Sequence, residues 1–259
     1  MVKGLYTAYT GMINEQNRMD IMTNNLANAS TVGYKKEGST SQSFDDVLTV
    51  KIKDQSVGMR NVQRLGVKNP GVKIGENYTD YSQGSFRITG NTYDLALSGE
   101  GFFAIEFTNK AGETDTKYTR AGQFTLNKDG YLVTEEGDYV LDTQNRRIQL
   151  NTLIDSSITD DGTIYQNGQA VAKIQVTDFE DYDYLEKYGE TYYQPIQGAK
   201  TIAAKAQVKS GYLEMANVQI VSEMVNLISI TRAYESNQKV VQTIDDTLDV
   251  AVNQIGRVQ

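Results

Sequence analysis

Thirty-three Asp and Glu residues stand in a chain of 259 that contains no His and no Cys. The chemistry left to such a set is narrow. It comprises calcium binding by spaced oxygens and glycoside hydrolysis by a carboxylate pair. Asp129-Gly130 and Asp160-Asp161-Gly162 carry oxygen ligands but lack the spacing of an EF-hand loop, and turn chemistry explains both. Gly99-Glu100-Gly101 begins a glycine pattern without the third Gly or the following helix of a phosphate loop. Without His there is no Ser-His-Asp triad and no common zinc site; without Cys there is no thiolate nucleophile and no disulfide framework. No acid pair is singled out by its neighbours. The expectation is a protein with no catalytic, cofactor-binding or metal-binding residues, and not an enzyme.

The strongest pattern lies in the elements instead. Ile220, Leu227, Tyr234, Val241, Leu248 and Ile255 recur at every seventh residue. Ile230, Ile244, Ala251 and Val258 fill the position three further on, where Glu223 and Asn237 break the row. Neither Gly nor Pro occurs between Tyr212 and Ile255. A seven-residue repeat kept this long predicts a long helix with a seam for a partner helix. Some forty residues at this rise make a rod of roughly 60 Å. Such a seam packs either on its own domain or on copies of the chain.

The first thirty residues carry the same period. Leu5, Met12, Met19 and Leu26 are seven apart, with Ala8, Met22 and Ala29 on the adjoining row and Glu15 interrupting it. Gly4 and Gly11 weaken this helix by about 1 kcal/mol each relative to Ala, so it needs a partner, and the C-terminal helix is the natural one. Asn24, Asn25 and Asn28 followed by Gly33 read as an elaborate helix end, Asn competing with the backbone for hydrogen bonds and Gly33 closing a turn at positive φ. Residues 38–80 are polar and weakly patterned. Phe44, Val47, Leu48, Val50 and Ile52 are consistent with a short helix before an extended piece. From about Asn77 the alternation of Tyr, Thr, Val and Phe between Gly, Asn and Asp turns predicts many short antiparallel strands. Asp178 to Lys187 reads as a solvated acidic-aromatic loop or short helix. The expected fold class is α+β: long N- and C-terminal helices pairing as a coiled-coil domain (1–37 with 211–259), a connecting arm (38–80) and an inserted, mainly antiparallel β domain (81–210).

The net charge is -8 and the pI about 4.7. Residues 1–75 hold ten Lys and Arg against six Asp and Glu; the rest hold fifteen against twenty-seven. This balance speaks against a nucleic-acid partner. No stretch approaches a membrane span, and MVKGLYTAYTGM lacks the apolar core of a secretory signal, so no membrane insertion and no cleaved signal are expected.

Three stretches of the chain resemble one family, the flagellar basal-body rod and hook proteins of bacteria. The first, NNLANASTVGYK at Asn24–Lys35, contributes Asn24, Asn25, Leu26, Asn28 and Gly33. The second is TGNTYDLALSGEGFFAIE at Thr89–Glu106 with YTRAGQFTLNKDGYLV at Tyr118–Val133; it contributes Asp94, Gly101, Phe102, Phe103, Arg120, Gly122 and Gly130. The third, Ser210–Leu248, contributes Asn217 and Val218 and departs from the family at Met215-Ala216. Together they cover about half the chain in the family's order. Length separates it from hook subunits, which carry an extra domain, and from the shorter innermost rod proteins. It is most similar to the members of the distal rod and their paralogues in the proximal rod. The resemblance implies a structural subunit that polymerises into a helical tube and transmits motor torque to the hook. It implies copies of the chain, other rod proteins, hook subunits and the flagellar type III export apparatus as partners, and a place in the basal-body rod outside the cytoplasmic membrane. An adhesion module presenting its β domain on a helical stalk is the alternative.

Overall fold

The computed structural model describes residues 2–51, 63–109 and 112–255. They fall into two compact units. The first comprises 1–26, 37–80 and 220–259; the second comprises 27–36 and 81–219.

Two helices and four strands make the first unit. Helix α1 spans Val2–Ala27 and helix α2 spans Ile220–Val250, which runs on into a π-helical turn at Ala251–Ile255. A Cβ placed on Gly4 would lie 3.6 Å from Ile244 Cδ1, and one on Gly11 would lie 2.9 Å from Asn237 Nδ2. Seven residues forward on α1 thus match seven back on α2, so the helices pair antiparallel. The two glycines that weaken α1 as an isolated helix both face its partner. The row breaker Asn237 therefore faces the bare backbone of Gly11.

Strands β1 (Glu37–Ser43), β2 (Val47–Lys51), β3 (Gln63–Lys68) and β4 (Val72–Thr79) form two antiparallel pairs, β1 with β4 and β2 with β3. The short helix anticipated from Phe44 onward is absent among the described residues. The β-branched run Val47, Thr49 and Val50 forms β2 instead, because branched side chains fit a pleated strand better than a helix. Ile52 lies outside the described residues. Ser41 Oγ donates to Asn14 Oδ1 at 3.1 Å, and Thr7 Oγ1 donates to Pro70 O at 3.3 Å, which ties the hairpins to polar positions of α1.

The second unit is built from sixteen short strands: β5 (Phe86–Ile88), β6 (Leu95–Ser98), β7 (Phe102–Thr108), β8 (Thr114–Thr119), β9 (Phe124–Leu126), β10 (Leu132–Thr134), β11 (Tyr139–Val140), β12 (Ser156–Ile158), β13 (Thr163–Gln166), β14 (Gln169–Lys173), β15 (Val176–Phe179), β16 (Leu185–Tyr188), β17 (Tyr192–Pro195), β18 (Thr201–Ala203), β19 (Gln207–Ser210) and β20 (Tyr212–Glu214). Their described pairings are antiparallel. The main sheet runs β16-β17-β8-β7-β11-β10-β9, and β15 joins β18 to β7. Beside it lie the meander β12-β13-β14 and the pairs β6-β19 and β5-β20. Successive side chains of a strand point to opposite faces. Strand β7 buries both of them: Phe103 joins a core with Leu95, Leu97, Phe124, Leu132, Val140 and Ile164, while Phe102 and Ala104 join a second with Tyr118, Leu141, Phe179 and Tyr193. The run Phe102-Phe103-Ala104-Ile105 is apolar throughout because neither face meets water. The acidic stretch after Val176 is more ordered than its composition suggests. Asp178 and Phe179 are buried in β15, Tyr182–Tyr184 is a single 3-10 turn, and Leu185 begins β16.

Candidate functional site

Glu214, the last residue of β20, is fully buried. Its Oε1 lies 2.6 Å from Lys35 Nζ, and its Oε2 lies 3.2 Å from a terminal guanidinium nitrogen of Arg120. Both cations are buried as well. A carboxylate withdrawn from water is costly unless charges and hydrogen bonds replace its hydration. Here Gly84 N also donates to Oε1 at 3.0 Å, Lys35 Nζ also donates to Ser82 O at 2.8 Å, and the Arg120 guanidinium stacks 5.3 Å from the Phe102 ring centre. The cluster draws together the loop after α1, the segment 82–84, the end of β8 and the end of β20.

The loop is positioned by its amides. Asn25 is fully buried; its Oδ1 accepts from Glu37 N at 2.9 Å and its Nδ2 donates to Glu37 O at 2.7 Å. One side chain thus replaces a strand partner for the backbone on the far side of the loop. Asn28 Nδ2 donates to Glu190 Oε2 at 2.8 Å, while Asn28 Oδ1 accepts from Thr31 Oγ1 at 3.2 Å. Asn217 accepts from Lys36 N at 2.7 Å and donates to Ser82. Gly33 has φ +70°, and its N donates to Glu214 O at 2.8 Å; a Cβ there would come within 2.3 Å of Ala121 N. Only Gly serves both conditions. Tyr34 is fully buried, with Lys187 Nζ 4.2 Å from its ring centre.

Of the motif residues, Asn28, Gly33, Arg120 and Asn217 meet at or beside this cluster, and Gly122 lies close by, where a Cβ would come within 1.7 Å of Leu95 O. Phe102 meets the cluster through the Arg120 guanidinium, and the others lie elsewhere. Asp94 is buried and its carbonyl accepts from Gly211 N at 2.8 Å; Gly101 abuts Ala204; Gly130 closes the turn from Asn127. Phe102 and Phe103 serve the two cores, Asn24 is exposed on the last turn of α1, and Val218 is half-buried just before α2. The residues that sequence reasoning missed are Lys35 and Glu214. Each lies inside a quoted motif, but nothing local marks it as one end of a buried ion pair.

The seam residues differ in burial. Leu5, Met12, Met19 and Leu26 on α1 are half-buried, as are Leu227, Tyr234, Val241 and Leu248 on α2. Ile220 is 46% exposed, only the backbone of Ile255 is among the described residues, and Val258 lies outside them. Glu223, one of the two breaks in the row, is buried together with Ile230. A second apolar stripe faces outward: Tyr6, Tyr9 and Ile13 on α1, and Val221, Met224, Val225 and Ile228 on α2, all exposed.

A cavity of about 340 Å³ in the second unit is lined by Ser30, Thr31, Arg87, Gln123, Glu135, Glu136 and Tyr192 among others. Tyr192 Oη lies 2.6 Å from Glu136 Oε2 and 2.9 Å from Asp138 Oδ2. Among the described residues no group of three or more acids is placed to hold a metal ion. Of the calcium candidates, Asp161 pairs with Lys173 Nζ at 2.7 Å, and Asp129 N donates to Asn127 Oδ1 within its turn. No described helix is long and apolar enough to cross a membrane.

Three family models match. Residues 5–35 match the flagella basal body rod protein family, residues 96–166 the flagellar hook protein FlgE/F/G D1 domain, and residues 209–255 the C-terminal region of the flagellar basal body rod FlgEFG proteins. Curated relatives match along their whole length. The flagellar basal-body rod protein FlgG of Bacillus subtilis (strain 168) is 34% identical, covering 98% of this chain and 99% of the relative. The flagellar hook-basal body complex protein FlhO of the same organism is 30% identical over 100% of both. The flagellar basal-body rod protein FlgF of Caulobacter vibrioides is 32% identical over 100% of both.

Proposed function

Since this chain belongs to the flagellar basal-body rod protein family, a structural family and not an enzymatic one, we propose that it polymerises into the helical tube of the rod and passes motor torque to the hook. The observation that carries this reading is the exposed apolar stripe on both terminal helices. An isolated helical pair of a soluble protein puts polar residues on its outer face. Here Val221 is 76% exposed, Val225 61% and Ile228 53%. Repeated without closure, a head-to-tail contact through such faces makes a filament. The seam rows, Leu5 to Leu26 and Ile220 to Ile255, set the pairing on which that outer face is displayed.

The same reading supplies the finer partners: copies of the chain, adjoining rod proteins, hook subunits, and the flagellar type III apparatus that delivers it. No observation favours the adhesion alternative. Leu227→Asp and Leu248→Asp are each expected to abolish incorporation into isolated basal bodies and motility in soft agar, because each would bury an unpartnered charge in the seam. Normal swimming of both variants would refute the seam assignment.

A further inference from the structure

The phenol of Tyr192, on β17, stands over the turn that joins β10 to β11. Its oxygen has three short contacts: Glu136 Oε2 at 2.6 Å, Asp138 Oδ2 at 2.9 Å and Thr134 Oγ1 at 3.3 Å. A phenol carries one hydrogen and an ionised carboxylate only accepts. Tyr192 therefore satisfies one acid as donor, and the second acid is attracted to the same oxygen only when it brings a proton of its own. The turn has few other fastenings. Thr134 N donates to Asp138 O at 2.8 Å, Gly137 N donates to Thr134 O at 3.1 Å, and Asp138 N donates to Thr134 Oγ1 at 3.2 Å. These three lie within the turn; the Thr108 backbone at the end of β7 also bonds to Asp138, and Tyr192 is the turn's described side-chain tie to β17.

We propose that Tyr192, Glu136 and Asp138 form a proton-operated clasp that holds the β10–β11 turn against β17 and tightens as pH falls. Glu136 takes the phenolic hydrogen at the shorter distance. Asp138, once protonated, donates to the same oxygen and completes the ring of contacts; ionised, it competes with Glu136 for the single phenolic hydrogen and is left with the Thr108 backbone. Partial burial pushes the Asp138 carboxyl up, hydrogen bonds from Tyr192 and the Thr108 backbone oppose the rise, and the charge of Glu136 adds to it. Burial and the bond to Glu136 raise the Tyr192 phenol too, so it stays neutral. The other charged groups around the clasp leave this balance to the pair. Glu135 of the turn and Arg87 of β5 line the adjoining cavity, Glu190 is held by Asn28, and Lys117 of β8 lies on the Tyr188 ring at 3.5 Å. A carboxyl raised in the folded state contributes fully below its ordinary value of 3.8 and loses that contribution as pH rises through the raised value.

Hydrogen exchange on the full chain tests this, followed by mass spectrometry and corrected for the intrinsic pH dependence. Protection of Gly137 and Asp138 should fall by about tenfold between about pH 4 and about pH 8 in the parent chain. Asp138→Asn supplies a permanent N–H donor and should hold the protected level at both ends of the range. Tyr192→Phe should give the unprotected level at both. A step that persists unchanged in either variant, or a parent chain with no step, overturns the clasp. Should Asp138→Asn fail to fold, Tyr192→Phe and the parent chain decide the matter alone.

Discussion

Removing the Glu214 carboxylate leaves Lys35 and Arg120 buried together without an anion. Breaking a buried pair in this way costs on the order of 3–5 kcal/mol, whereas losing an exposed pair costs less than about 1 kcal/mol. Glu214→Gln is therefore expected to lower the urea midpoint of unfolding steeply. Lys200→Ala, which opens the exposed Lys200–Glu180 pair, should barely move it. Equal midpoints for the two variants would show that the cluster is not what fastens the loop. At this scale the sequence was partly legible. Gly33 is readable as a turn residue from its neighbours alone. Its contact with Ala121, and the meeting of Lys35 with a carboxylate 179 residues away, are not, because side-chain pairing across such distances leaves no local pattern. The amides mislead for a related reason. Asn25 sits where a helix cap belongs, yet it fastens Glu37, and only the fold brings Glu37 within reach.

Among the elements, period was the reliable guide. The seven-residue rows on α1 and α2 fall mostly on half-buried positions, and the two-sided apolar run of β7 marks a strand enclosed on both sides. Propensity decided where period was weak: Val47, Thr49 and Val50 make a strand from a stretch whose spacing also fitted a helix. The two glycines of α1 separate packing from propensity and so allow a sharper test. At Gly4 a Cβ would meet Ile244 at 3.6 Å, an ordinary contact, so Gly4→Ala should stabilise the paired helices by about 1 kcal/mol. At Gly11 it would press on the Asn237 amide at 2.9 Å, so the same change there should gain less or lose, and Gly11→Leu should separate the helices outright. Thermal melts followed at the helical circular dichroism band distinguish these. Equal stabilisation at both sites would rule out the antiparallel register.

For the whole molecule, the two units should differ in how far they depend on assembly. The second unit has two apolar cores of its own. The first has a narrow interior: among the described residues, Ala8, Asn14 and Asn25 are the buried side chains of α1, and Glu223 and Ile230 those of α2. Three of these five are polar, so hydrophobic burial within one chain is slight. In dilute solution the amides of α1 and α2 are therefore expected to exchange rapidly while β6, β7 and β10 stay protected, with the helices gaining protection on polymerisation. Equally slow exchange of helices and strands in the monomer would contradict this. Turn spacing and seam length are what suggested a β part distinct from a helical part in need of partners. The pairing of β1 with β4 and of β2 with β3 beside α1 was not legible, because β1 and β4 are largely polar and both pairs are irregular in register.

Glu214 also imposes an order of events. Its partners Lys35 and Arg120 lie 179 and 94 residues earlier, and strands β19 and β20 close on β6 and β5 from the far end of the chain. Bringing such distant segments together carries a loop-closure cost that no shorter piece of the chain can avoid. A chain fed end-first through a narrow channel therefore cannot complete its β domain until residues on both sides of it have emerged, whichever end leads. On the export route proposed above, the latch that secures the finished subunit is absent throughout transit, and the late arrival of one carboxylate marks the moment at which a thread becomes a building block.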